Sequence, residues 1–264
     1  MEKKQTVVFD LDGTVYQNTV FHRDYIHFMV QGTLFSEWEK ALVAFAEQVY
    51  AGRRMHMNRF YAVQTLAPST PEQFFEQLEH CLCPPLSFRS ALREQGLMYL
   101  GDAWAVVTFM GKALGVLEGA RGDEVFFQTR RKMERDGIVG YPQLTQAIRA
   151  LGQRCNVVLL SNSYQSTVEE FLRQIGMEET FPIVCYSSNK PFEMIQNLKA
   201  VAPYAVEHPQ TLISIGDNAF NDLMPVEELG GRTVWINPYP NIERPRCDVE
   251  LRTLQDLCQY LACL

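Results

Sequence analysis

The chain opens on a short apolar run, Thr6-Val7-Val8-Phe9, that ends in Asp10. A continuous apolar run of that length predicts a strand buried on both faces. From about Phe21 to Gly137 the pattern changes to apolar residues at three-and-four spacing, the period of helices packed on one side. FSEWEKALVAFAEQVYAG offers Ser36 as an N-cap and Gly52 as a stop. STPEQFFEQLEHCL offers Thr70 as N-cap, Pro71 at the first helical position and Gln73 in capping-box position. GDEVFFQTRRKMERDG is a further helix, closed by Gly137. No strand-like alternation of useful length occurs in this stretch.

After Tyr141 apolar runs alternate with amphipathic segments. PQLTQAIRAL, QSTVEEFLRQIG, FEMIQNLKAVA, NDLMPVEELG and LQDLCQYLACL read as helices; CNVVLLSNS, FPIVCYSS, TLISIGD and TVWINP read as strands. Apolar strands alternating with helices indicate a parallel sheet covered on both faces. The first strand belongs with this sheet, since a lone strand ahead of a helical block has no other partner. The expected fold is α/β, a Rossmann-like parallel sheet with helices on both faces, interrupted by an all-α domain. The expected boundaries are 1–16 and 140–264 for the core and 17–139 for the insert.

Composition narrows the function classes. The 264 residues are 47% hydrophobic and 21% charged, ordinary for a globular chain with a sizeable core. A formal net charge of −7 argues against nucleic-acid binding, which needs a basic surface. It leaves room for a small anionic substrate, because a site can be locally positive. The seven cysteines are odd in number and scattered, unlike a disulfide framework or a zinc site, and predict reduced thiols and a cytoplasmic protein. MEKKQTVVFD lacks the apolar run of a signal peptide. The most apolar stretch, residues 97–117, is broken by Asp102, Lys112 and three glycines, and reads as a core helix rather than a membrane span.

Ligands of open α/β sheets bind beyond the carboxyl ends of the strands. The strand ends here carry Asp10-Leu11-Asp12-Gly13-Thr14, Ser161-Asn162-Ser163, Asn189-Lys190-Pro191 and Gly216-Asp217-Asn218-Ala219-Phe220-Asn221-Asp222. Asp10, Asp12, Asp217 and Asp222 would converge at one edge. Four carboxylates repel unless some are protonated or a cation sits among them, and hard oxygen ligands suit Mg2+. Lys190, Ser161 and the loop N–H groups would grip a phosphoryl group. A carboxylate can also be the nucleophile, with a second acid moving protons.

These residues resemble the haloacid dehalogenase superfamily, most of whose members are phosphatases. DLDGT matches its first motif, LLSNS the second, Lys190 in NKP the third and GDNAFND the fourth. The match covers roughly residues 5–16 and 140–264. The resemblance implies that Asp10 is nucleophile and metal ligand, and that Asp12 is general acid/base with its backbone carbonyl on the metal. It implies that Ser161, Asn162 and Lys190 hold phosphoryl oxygens, that Asp217 binds Mg2+, and that Asp222 supports it from behind. Dehalogenases proper lack the second acid, so Asp12 favours phosphoryl transfer. The insert falls where this family places a cap. The expectation is a Mg2+-dependent phosphatase acting on a small phosphomonoester. A phosphomutase on the same scaffold and a non-catalytic binding protein are the rivals.

Plainer readings accompany several residues. Asp-Gly is a common turn pair, and Asp222 can cap the helix beside it. His22 reads as a surface-helix residue. Met98, Trp104, Phe109 and Met110 read as cap core. Arg53 and Arg54 read as a solvated helix end.

Overall fold

The computed structural model describes residues 5–18, 20–239 and 243–264. The charged start of the chain, residues 1–4, on which the signal-peptide reading partly rests, lies outside them. The chain divides into two compact units. One holds the chain up to Asn18, Gly137–Pro238 and Pro245–Leu264. The other runs on to Asp136 and adds Tyr239–Arg244.

The chain begins with strand β1 (Thr6–Phe9) of the first unit. It then builds the second unit from α1 (Phe21–Val30), α2 (Glu39–Tyr50), β2 (Phe60–Ala62), α3 (Pro71–His80), α4 (Phe88–Ala91), β3 (Leu97–Tyr99), α5 (Ala103–Ala113) and α6 (Arg121–Asp136). Leu42, Phe45, Val49, Phe74, Leu78, Phe109 and Met110 are almost wholly buried and form its core.

The all-α expectation for the insert needs a correction. Strands β2 and β3 pair antiparallel, with Phe60 opposite Tyr99 and Ala62 opposite Leu97. Three residues are too few for a period of two to show in the sequence. The apolar stretch from residue 97 accordingly splits into β3 and helix α5, whose N-cap is Asp102, accepting from Ala105 N–H at 2.7 Å. Ser36 starts a short 3₁₀ turn ahead of α2 rather than capping α2 itself.

His22 also departs from expectation: it is 3% exposed. It stands four residues before Ile26 and seven before Met29, so it shares the stripe that α1 turns inward. Its ring meets Tyr50 edge-on at 5.2 Å, and Nε2 lies 3.5 Å from Glu47.

The first unit resumes with α7 (Pro142–Gly152), β4 (Asn156–Leu160), α8 (Gln165–Gln174), β5 (Ile183–Cys185), α9 (Met194–Val201), α10 (Pro203–Glu207), β6 (Leu212–Gly216), α11 (Met224–Leu229), β7 (Arg232–Ile236), β8 (Val249–Leu251) and α12 (Leu254–Ala262). Its sheet has six parallel strands in the order β5-β4-β1-β6-β7-β8. A parallel sheet must be covered on both faces. On one face Val8, Val158, Leu160 and Leu212 pack with Met194, Leu198, Ala205 and Val226 from α9, α10 and α11. Alternation turns Val7 and Phe9 to the opposite face, where Phe9 meets Phe181 edge-on at 5.8 Å.

The sheet register positions the chemistry. Phe9 lies level with Leu159 of β4 and with Ile215 of β6. One residue further, Asp10 enters the same edge as the ends of both neighbours, and its N–H donates to Ile215 O at 3.0 Å. The chain order reverses direction across β1, which creates the crevice where α/β sheets take ligands. No described helix is long and apolar enough to cross a membrane.

Candidate active site

Strand β1 places Asp10 at the centre of a charged cluster. Lys190 Nζ donates to Asp10 Oδ1 at 2.6 Å and to Asp222 Oδ1 at 2.7 Å. The lysine side chain is 3% exposed and the Asp222 side chain likewise, so the pair is held out of water. Lys190 is fixed through its own peptide. Its N–H donates to Asn162 Oδ1 at 2.7 Å, and Asn162 Nδ2 donates back to Lys190 O at 3.1 Å. Asn162 thus has its side chain committed to the lysine, which leaves its backbone N–H as the group that could meet a phosphoryl oxygen.

The loops after β4 and β5 are zipped along their length. Ser161 N–H donates to Cys185 O, Ser187 N–H to Ser163 O and Ser188 N–H to Ser161 O, each at 3.0 Å. Ser161 is buried, and its Oγ accepts from Ser163 N–H at 3.1 Å.

After β6 the chain enters a wide π-helical turn, Ala219–Leu223. Asn218 is its N-cap, accepting from Asn221 N–H at 3.2 Å. That corrects the reading of Asp222 as a cap. Asp222 sits inside the turn, with Oδ2 accepting from Asn218 N–H at 3.1 Å and its carbonyl accepting from Ser214 Oγ at 2.6 Å. Asp217 is anchored by its carbonyl, which accepts from Trp235 Nε1 at 2.9 Å.

Carboxylate oxygens of Asp10, Asp217 and Asp222 lie within 4.8 Å of one another. Two glycines permit this approach. A Cβ at Gly13 would fall 2.0 Å from Asp217 Oδ2, and one at Gly216 would fall 2.3 Å from Asp222 Cβ. Burial raises the Asp10 carboxyl to about 7; Lys190 opposes that rise, while Asp222 and Asp12 reinforce it. Burial also raises Asp222, against the pull of Lys190. Burial works against the Lys190 charge, but Asp10 and Asp222 outweigh it and hold the ammonium charged above its ordinary range. One lysine therefore faces an excess of carboxylates. The donor set, oxygen only and over-charged, fits a hard divalent cation. Asp222 accepts from Lys190 on one oxygen and from the Asn218 N–H on the other, which fixes its carboxylate beside the other two.

Asp12 is held differently. Tyr16 Oη donates to Asp12 Oδ1, and Ser163 Oγ donates to Asp12 Oδ2 at 3.2 Å. Neither hydroxyl was singled out by sequence reasoning. The one available signal was the spacing of Tyr16 four residues after Asp12. The structure thus brings Asp10, Asp12, Ser161, Asn162, Lys190, Asp217 and Asp222 to one end of one sheet.

A model of haloacid dehalogenase-like hydrolases matches residues 4–224. The chain belongs to that family. This hydrolase shares its fold with YfnB of Bacillus subtilis, assigned as a HAD-hydrolase and solved bound to magnesium. The likeness covers 98% of this chain and 99% of that one, at 17% identity and a TM-score of 0.55. A Thermotoga maritima protein assigned as a β-phosphoglucomutase is similar over 98% and 99%, at 11% identity and a TM-score of 0.52. An L-2-haloacid dehalogenase is similar over 98% and 99%, at 16% identity and a TM-score of 0.51. No curated protein matches the hydrolase in sequence.

Proposed function

We propose that this hydrolase is a Mg2+-dependent phosphatase acting on a small phosphomonoester through an aspartyl-phosphate. The observation that carries this reading is the pair of acids after β1, sorted into two environments. Asp10 is ion-paired to a buried lysine, whereas Asp12 is held by two hydroxyls. Expelling an alkoxide requires a proton, which a second acid can supply; expelling a halide does not. Asp12 therefore favours phosphoryl transfer over the dehalogenation performed by one of the structural neighbours.

In the first step a carboxylate oxygen of Asp10 attacks phosphorus, the ester P–O bond breaks, and Asp12 gives its proton to the leaving oxygen. In the second, Asp12 takes a proton from water as the water oxygen bonds to phosphorus. The acyl-phosphate P–O bond breaks, freeing phosphate and restoring Asp10. Lys190, with Ser161 and the Asn162 N–H, offsets charge on the phosphoryl oxygens. Mg2+ held by Asp10, Asp217 and the Asp12 carbonyl would add Lewis-acid stabilisation of that charge, with Asp222 behind them. Chemistry belongs to the core, 1–16 and 140–264, and specificity to the insert, 17–139. The seven free cysteines suit a reducing cytoplasm.

The test is phosphate release from a panel of phosphomonoesters. Activity should vanish with EDTA, return with Mg2+, and fall by about 10³-fold or more in Asp10→Asn, whose circular dichroism shows the fold intact. EDTA-resistant release, or a fully active Asp10→Asn, would overturn the reading. Isomerised substrate without phosphate release would indicate a phosphomutase.

A further inference from the structure

Two buried hydroxyls outside the four motif roles converge on Asp12. Tyr16 is 1% exposed and Ser163 is 6% exposed. The Tyr16 ring is fixed edge-on against Phe171 of α8 at 5.4 Å. A bridge between Asp12 and Tyr16 ties their backbones together. Ser163 is fixed at both ends of its peptide, by Ser161 Oγ on its N–H and by Ser187 N–H on its carbonyl. Each hydroxyl meets a different oxygen of the Asp12 carboxylate, and the two come from sequence positions far apart. A carboxylate gripped at both oxygens by rigidly mounted donors loses its freedom to rotate about χ2. Lys190, by contrast, directs two of its three donors to Asp10 and Asp222.

We propose that Tyr16 and Ser163 are positioning residues for proton transfer by Asp12. They orient the carboxyl toward the leaving oxygen of the substrate and steady the carboxylate formed when its proton is given up. This rests on the phosphatase reading above. The balance of the step is unchanged. The Asp12 proton passes to the leaving oxygen as the ester P–O bond breaks and the Asp10–phosphorus bond forms. The two hydroxyls keep their own protons throughout.

An orientation role has a kinetic signature that a merely structural role lacks. Leaving groups that depart poorly need the proton most. The experiment measures kcat/KM of the full chain with Mg2+ on an aryl phosphate (p-nitrophenyl) and on an alkyl phosphate. The variants are Tyr16→Phe, Ser163→Ala and Ser163→Thr. Tyr16→Phe keeps the ring and its packing, and Ser163→Thr keeps the hydroxyl. In both Tyr16→Phe and Ser163→Ala the ratio of aryl to alkyl kcat/KM should rise by about tenfold or more. Ser163→Thr should bring it back toward wild type. An equal loss on both substrates, or no loss, would overturn the inference. Should Tyr16→Phe fail to fold, Ser163→Ala against Ser163→Thr decides alone. Wild-type protein that releases no phosphate from either ester would instead refute the phosphatase reading itself.

Discussion

Gly13 stands between the two acids that follow β1 and the acid that follows β6, with φ at +82°. Only a residue without Cβ can hold that left-handed backbone cheaply and also admit Asp217 Oδ2 into the space a side chain would fill. Gly13→Ala should lower kcat/KM by about 10²-fold and raise the Mg2+ concentration needed for half-maximal activity. A wild-type Mg2+ titration in that variant would contradict the placement of Asp217. At this scale the motif acids were legible because each follows an apolar strand run in sequence. Tyr16 and Ser163 were not, since the choice of a hydroxyl's partner is made across the fold: Ser163 reaches an acid 151 positions away. Asn162 was legible as a site residue but not in its action. Its side chain serves the Lys190 peptide, a pairing that depends on how the β4 and β5 loops lie side by side.

Among elements, the core strands of four or five residues announce themselves, because burial on both faces demands a mostly apolar run. Strand β8, Val-Glu-Leu, does not: it is half-buried at the sheet edge and too short for any period to register. Strands β2 and β3 escaped notice for the same reason. Helix caps were readable where side-chain chemistry is local, as at Thr70, which accepts from Gln73 N–H at 3.3 Å. The turn after β6 was not, because its π-helical winding is a backbone feature. That winding carries Asp222 inward to Lys190 while leaving Asn218 at the cap. Wide turns of this kind occur often at functional sites.

For the molecule as a whole, the buried acids make stability depend on pH and on metal. Asp10 is raised by burial to about 7 from an ordinary 3.8. Between those values the folded state holds a proton that the unfolded chain has released. The contribution of Asp10 to stability is therefore fully present below about pH 4 and is lost as pH rises through about 7. In EDTA, the melting temperature of Asp10→Asn relative to wild type should climb over that interval and then level off. A difference that shrinks as pH rises would contradict the upward pull of burial on the Asp10 carboxyl.

The proposed mechanism requires Asp10 to carry the phosphoryl group between substrate and water. A rapid acid quench addresses this most directly, with the full chain and Mg2+ in molar excess over a labelled phosphomonoester. The label should appear on the peptide containing Asp10 and decay as free phosphate accumulates. Free phosphate that forms without prior labelling of that peptide, or label on any other residue, would contradict the mechanism.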